Sequence, residues 1–217
     1  TPDVICIHTQ KPFDLEFEPG QATHISVPDA DNPSDMRPFT FTSLPTEHLL
    51  SFTIKIYPEH NGFTKKLLGL KSGDELSLHG VFGTIKYKGE GVFIAGGTGV
   101  TPFIPILKYL KSIDEIGSNR LIYANKMRAD IILEKEFTTI LGTNFINILS
   151  EEKVPGYANG QITENFISTN NGGKNRKYYV CGPPGMMDAI QDQLSKLGVP
   201  ENCIITEKAY SSSLITA

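Results

Sequence analysis

Three cysteines, no apolar run near the ~18 residues of a membrane span and no surplus of either charge are the first features of this 217-residue chain. Cys6, Cys181 and Cys203 are odd in number and far apart, which excludes a disulfide framework and fits a reducing compartment, so a cytoplasmic protein is expected. The same three thiols exclude a plant-type iron–sulfur cluster in this sequence, because that cluster takes four thiolates at close spacing. No metal site is expected. Lys and Arg number 20 against 24 Asp and Glu, a net charge of -4. Phosphate-backbone contacts need clustered cations, so a nucleic-acid partner is excluded. No basic-then-apolar leader opens the sequence. It begins on Thr1 rather than Met, which implies that the natural product begins earlier. Internal repeats and low-complexity tracts are lacking too, and a monomer is expected.

What is present is an ordinary globular balance, 39% apolar and 20% charged, enough for one large or two small packed domains. The character of the chain changes near residues 88–91. Before that point short apolar-alternating runs at 23–27, 39–43, 50–57 and 75–79 are separated by Pro19-Gly20, the 29–33 turn and Ser72-Gly73-Asp74. Evenly spaced strands with such turns predict an antiparallel barrel, interrupted by a short helix over 64–70. After Gly91, apolar strands at 92–95, 121–124, 145–149, 178–181 and 203–206 alternate with helices at 102–112, 129–141, 163–168 and 184–197. That alternation predicts a five-stranded parallel sheet covered on both faces. In the first of these helices Thr101 is the expected N-cap and Pro102 the first helical residue. In the last, Gly198 is the expected C-cap. The expected architecture is a Greek-key β-barrel over 1–89 and an α/β domain over 90–217.

Two glycine-rich turns carry chemistry. Gly96-Gly97-Thr98-Gly99-Val100-Thr101-Pro102 leaves a buried strand and opens a helix, an arrangement that offers free backbone N–H groups and a positive dipole end to a pyrophosphate. Tyr178-Tyr179-Val180-Cys181-Gly182-Pro183-Pro184-Gly185-Met186 repeats the strand-to-helix pattern. With strand order 3-2-1-4-5 the two turns flank one crevice at the switch point, where open α/β sheets bind ligands.

The pair, Gly-Gly-Thr-Gly-x-Thr-Pro and, about 80 residues on, Cys-Gly-Pro-Pro-x-Met, resembles the NAD(P)-binding half of the ferredoxin–NADP reductase superfamily. Arg37-Pro38-Phe39-Thr40-Phe41-Thr42-Ser43 resembles its flavin motif. The resemblance assigns Arg37 to a flavin phosphate, Phe39 (where Tyr is commoner) to the flat ring and Thr40 to flavin N5. A guanidinium, an aromatic face and a small hydroxyl suit those tasks. It further implies a pyrophosphate turn at Asn61-Gly62-Phe63-Thr64, with Pro38, Lys55 and Tyr57 as flavin-side contacts. Pro19-Gly20-Gln21, Gly73-Asp74-Glu75-Leu76 and Gly80-Val81-Phe82-Gly83 occur in the family's order. On the coenzyme side it implies Gly97, Thr98, Gly99, Thr101 and Pro102 at the dinucleotide, with Gly182, Pro183 and Met186 opposite. Cys181 borders the nicotinamide, and Glu207 orients it or handles protons. The role of Tyr210, ahead of the 211–217 tail, stays open. Lys126 and Arg128 follow the second strand and favour NADPH.

The function implied is hydride transfer from NAD(P)H to bound FAD, then single-electron delivery to a flavodoxin, a ferredoxin or an oxygenase component. Two alternatives stand beside it: reduction of free flavin or ferric chelates, and a non-catalytic electron relay in a larger complex. Lys65, Lys66 and Lys71 are candidates for a docking patch.

Overall fold

The computed structural model describes residues 1–28, 35–57, 62–173 and 175–207. In the first part, β1 (Val4–Gln10) pairs antiparallel with β4 (Leu49–Lys55), and β2 (Ala22–Ser26) lies between β3 (Met36–Thr40) and β5 (Ser77–Phe82). The described strands thus form two antiparallel sheets around one core, which holds Ile25, Phe41, Phe52 and Ile54. β1 is an addition to the sequence reading. Its half-exposed alternation becomes a strand because β4 supplies seven register partners. β3 starts and ends earlier than expected, so that Arg37 and Pro38 lie inside the ladder, while Phe41 continues only through its N–H to the Gln21 carbonyl at 3.0 Å. The short helix α1 (Phe63–Lys66) passes into a 3-10 turn over Leu67–Gly69.

The second part is a parallel sheet of β6 (Gly91–Gly96), β7 (Arg120–Asn125), β8 (Phe145–Leu149), β9 (Ala158–Asn159), β10 (Lys177–Cys181) and β11 (Ile204–Thr206), in order β11-β10-β6-β7-β8-β9. Five strands were expected and six are present. The additional β9 is two residues long, joined through Ile148 and Leu149, too short for any periodicity to reveal. The switch between β6 and β10 is where the sequence put it. Helices α2 (Phe103–Ser112), α3 (Glu134–Leu141), α4 (Glu164–Asn170) and α5 (Pro184–Lys196) complete the layers. The helix expected from residue 129 begins only at Glu134. Asp130 closes a turn on the Met127 N–H at 2.9 Å, and Leu133 takes the left-handed conformation, φ 55°. Thr101 is not the cap of α2; Pro102 is, and the Thr101 hydroxyl is used elsewhere. At the end of α5, Gly198 (φ 73°) and Val199 return N–H groups to Ser195 and Leu194, a Schellman-type close.

The connection between the two parts is pinned by aromatic stacking. Phe93 and Tyr179 lie 4.4 Å apart, nearly parallel, and the Tyr87 ring lies beside both, 6.0 Å from Tyr179 and 6.5 Å from Phe93. The Tyr179 hydroxyl donates to the Gly89 carbonyl at 2.7 Å and accepts from the Lys88 N–H at 2.8 Å. Ile85 joins the core of the parallel sheet, and Thr84 donates to the Thr206 carbonyl at 3.0 Å. Tyr179→Phe keeps the stack and strands both backbone groups, so it is expected to lower unfolding free energy by about 1–3 kcal/mol with far-ultraviolet dichroism unchanged. Urea denaturation measures this, and an unshifted midpoint would show that the linker is held by the rings alone.

Candidate functional site

β6 ends at Gly96, and a 3-10 turn over Gly97–Val100 leads into α2. Its neighbour β10 ends at Cys181, in register with Ala95. The two turns that follow touch. A Cβ on Gly99 would lie 2.3 Å from the Cys181 carbonyl oxygen and 2.6 Å from Gly182 Cα, and one on Gly96 would lie 2.3 Å from Met186 Sδ and 3.0 Å from Pro183 Cδ. At Gly99 glycine is required because backbone packs directly on backbone, whereas at Gly96 the space is taken by the Met186 and Pro183 side chains. Gly97, at φ 52°, has nothing within 4 Å of its Cβ position. That is the side a dinucleotide phosphate can approach. Tyr123 of β7, wholly buried, donates its hydroxyl to the Gly97 carbonyl at 2.9 Å and fixes the turn from below. Burial holds that phenol well above its ordinary pKa, so it stays a donor.

β3 presents the flavin motif with alternating sides. Arg37 and Phe39 share a face with Ile25 and Thr23, while Pro38 and Thr40 oppose His24 and Ala22 on the other. Phe39 packs on Phe63 of α1, ring centroids 5.9 Å apart, which joins the motif to the Gly62–Thr64 turn. Gly62 caps α1, and Thr64 Oγ1 accepts from the Tyr57 N–H at 3.4 Å. Arg37 is 54% exposed and ion-paired with Asp35 at 3.1 Å. Lys55 is engaged by Asp3 at 2.7 Å, a hydrogen bond that raises its pKa. Gly20 abuts the linker, where a Cβ would lie 2.4 Å from the Ile85 carbonyl oxygen. Asn61 and Tyr210 fall outside the described residues.

The two motifs meet at Thr40. Thr101 Oγ1, one residue before the cap of α2, lies 3.0 Å from the Thr98 carbonyl and 3.3 Å from Thr40 Oγ1. Residues 1–87 match the model of an FAD-binding domain, and residues 93–192 that of an oxidoreductase NAD-binding domain. The fold superposes with TM-score 0.83 on a ferredoxin NADP+ reductase from Neisseria gonorrhoeae with bound FAD and NADP, at 16% identity over 97% of this chain and 94% of that one. This chain belongs to the ferredoxin–NADP reductase superfamily. Within the superfamily it is similar to the reductase component of propane 2-monooxygenase from Gordonia sp. (strain TY-5), at 30% identity over 97% of the chain and 65% of the relative. It is also similar to the electron transfer component of 2-halobenzoate 1,2-dioxygenase from Burkholderia cepacia, at 24% identity over 83% and 55%. The cytochrome b5 reductase domain of Ulva prolifera nitrate reductase superposes with TM-score 0.81 at 24% identity, over 95% of this chain and 92% of that one. The chain spans about 55–65% of the length of the oxygenase-component relatives it matches.

The remaining superfamily positions lie around the same crevice. Cys181 is buried at the end of β10. Its thiol is pushed up to about 12, first by burial and then by the Glu207 carboxylate, against a smaller pull from the Gly182 backbone. Glu207 follows β11. It is solvent-accessible, yet flanked by enough protein for desolvation to raise its carboxyl above the usual range. At the ends of β7 and β8 the cations are paired: Lys126 with Glu151 at 3.0 Å, Arg128 with Glu134 at 3.4 Å. The Arg128 N–H donates to Glu152 at 2.7 Å, its guanidinium lies over Tyr157 at 5.4 Å, and the Tyr157 hydroxyl donates to Glu134. Tyr123, Asp35 and these carboxylates were missed in the sequence. Tyr123 had one legible signal, a phenol in an otherwise aliphatic strand that must find a buried acceptor.

A thiol with a raised pKa stays protonated at neutral and mildly alkaline pH, so Cys181 can pack against a ring but cannot act as a thiolate there. Native protein treated with iodoacetamide at pH 9 is expected to leave Cys181 unmodified, with labelling only after unfolding. Peptide mass spectrometry reads this directly, and rapid native labelling would mean that the thiol is open and ionised.

Proposed function

We propose that this chain takes a hydride from a nicotinamide coenzyme onto FAD and passes the electrons to a separate acceptor protein, with the domain division at residues 89/90. The observation that carries the reading is the meeting of Thr40 with Thr101, which brings the flavin motif against the coenzyme turn. FAD accepts two electrons together and releases them singly, chemistry that no side chain supplies. The residues fit it: an exposed guanidinium at Arg37, an aromatic wall of Phe39 and Phe63, and a hydroxyl at Thr40 where the two parts touch. In this reading Arg37 and the Gly62–Thr64 turn hold the flavin phosphates, Thr40 hydrogen-bonds flavin N5, and Pro38, Lys55 and Tyr57 border the flavin side. Gly97, Thr98, Gly99 and Thr101 hold the dinucleotide, while Gly182, Pro183 and Met186 close the crevice opposite. Buried Cys181 excludes water beside the nicotinamide, and Glu207 carries a proton at its edge. An oxygenase component is the proposed acceptor, supported by the names of the oxygenase-system relatives. Three unpaired cysteines support a reducing, cytoplasmic setting.

The purified protein is expected to be yellow, with one FAD per chain released by heat and identified by chromatography. Thr40→Val keeps the shape and deletes one preorganised hydroxyl, so flavin reduction by coenzyme slows by up to roughly 100-fold while FAD content is retained. Stopped-flow bleaching of the flavin band measures that step without the acceptor. Reduction at the parent rate would remove Thr40 from the site.

For the coenzyme, Lys126 and Arg128 taken alone favour NADPH. In the fold each already faces a carboxylate, and Asp130 and Glu152 stand beside them. Exposed pairs of this kind are individually weak; what matters is that the rim, with four acids and two bases, repels a 2′-phosphate. NADH is therefore the proposed coenzyme, with kcat/KM at least about tenfold above NADPH, a difference of roughly 1.4 kcal/mol. Glu151→Gln raises kcat/KM for NADPH and leaves NADH nearly unchanged. A parent enzyme that prefers NADPH would mean that the two cations read the phosphate in spite of their pairs.

A further inference from the structure

β1 and β4 are paired along their whole length, and strand alternation sorts their side chains. Ile5, Ile7, Phe52 and Ile54 turn toward the core of the antiparallel part. Cys6, His8, Ser51 and Thr53 therefore share the opposite face, with Cys6 across from Thr53 and His8 across from Ser51. Cys6 Sγ lies 3.5 Å from His8 Nε2, and His8 Nδ1 lies 2.8 Å from Ser51 Oγ. Ser51 is held in turn. Its N–H donates to Ser43 Oγ at 3.1 Å, and its carbonyl accepts from the Thr42 N–H at 2.8 Å. A nucleophile, a base and a group that orients the base thus stand in line, the arrangement by which a weak nucleophile is activated.

The line opens on a cleft of about 260 Å³, whose other walls include Ile104 and Lys108 of α2 and Ile132 and Leu133 ahead of α3. That volume is below the roughly 300–1,000 Å³ of sites that enclose a whole ligand. It suits one arm of a small molecule and not a flavin or a dinucleotide. Cys6 is exposed, whereas Cys181 is buried and Cys203 faces Lys177 Nζ at 3.6 Å instead of an imidazole. Partial desolvation raises the Cys6 thiol above its ordinary range, against a hydrogen bond from Thr53 and the Lys108 charge. Cys6 is therefore no resident thiolate, and its reaction needs a base to take the proton.

We propose that Cys6 is a site of reversible modification by thiol–disulfide exchange with a low-molecular-weight disulfide, and that His8 is the base that receives the thiol proton. With Nδ1–H donating to Ser51 Oγ, Nε2 is the basic nitrogen and faces the thiol. The proton passes to Nε2 and the thiolate attacks one sulfur of the incoming disulfide. A mixed disulfide forms on Cys6, the old sulfur–sulfur bond breaks, and the departing thiolate takes a proton. Cys6 is oxidised and the departing half is reduced, so no other oxidant is needed. The half that stays bound lies in the cleft, against α2. In a reducing compartment such a bond is transient, so the modification follows the ratio of small disulfide to small thiol.

Oxidised glutathione is the probe, applied to the full chain at neutral pH and followed by intact mass and peptide mapping. The native chain is expected to gain one glutathionyl group on Cys6, at least about tenfold faster than on Cys203, and to lose it to dithiothreitol. In urea that advantage disappears, because the base no longer stands beside the thiol. His8→Gln is expected to slow the reaction about 100-fold, the low end of what a positioned base contributes, and added imidazole restores part of the rate. Slowing without rescue would give His8 a structural role and overturn its part as the base. Ser51→Ala leaves the imidazole but frees it to turn, so it slows exchange by a smaller factor, and it decides the matter if His8→Gln folds poorly. Native modification that favours Cys203 or Cys181, or a Cys6 rate unchanged in both variants, would overturn the proposal.

Discussion

The Cys181 carbonyl oxygen occupies the place that any side chain at residue 99 would need, and much of the crevice follows from that contact. Two parallel strands, β6 and β10, end at the same height, and their turns lean on each other, backbone to backbone at Gly99 and through the Met186 and Pro183 side chains at Gly96. This close approach leaves the space beside the Gly97 Cβ position open. It also fixes the start of α2, so that Thr101 reaches across to Thr40 of the other sheet. A bulkier residue at Gly99 would part the strand ends and move Thr101 away from Thr40. Hydride transfer between two bound groups tolerates little such displacement. The backbone contact therefore bears on the chemistry more directly than its small energy suggests.

Stacked rings and short hydrogen bonds hold the two sheets at that distance. Tyr87, Tyr179 and Phe93 form a cluster of near-parallel rings at the linker, and the Tyr179 hydroxyl takes both a linker N–H and a linker carbonyl. Thr84 is tied to β11 and Gly20 lies against Ile85, so the antiparallel part is tethered along more than one line. Such tethering suits a protein whose two binding motifs belong to different sheets. It leaves the crevice edge, where Glu207 and the turns lie, as the place for groups that must enter and leave.

Carboxylates organise the cations in both parts of the molecule. Asp35 gathers two cations in the antiparallel part, whereas Glu151 and Glu134 each take one cation at the ends of β7 and β8. The two arrangements differ. In one place a single carboxylate is shared by two cations, and in the other each cation has a carboxylate of its own. Counting Lys and Arg along the chain gives no access to this difference, because every one of these pairs except Arg37–Asp35 joins residues remote from each other or separated by a turn.

The sequence by itself determined the main order of elements, the switch point and the two glycine-rich turns beside it. Those features are local: strand periodicity, a glycine where backbone must approach backbone, a proline after the turn. Gly97, Gly99 and Cys181 could be placed at strand ends for that reason, and residues 37–43 could be read as a unit because they are consecutive. The tertiary structure decided what depends on distance. It added β9, whose two residues exist as a strand only beside β8, and it shortened α3, where Leu133 turns left-handed against its propensity. It moved the Thr101 hydroxyl from a helix cap to the interface and placed Tyr123 beneath Gly97. It also gave Lys126 and Arg128 carboxylate partners. Charge and hydrogen-bond partners are set by where side chains end in space, and a linear pattern carries that information only when the partners are a turn apart.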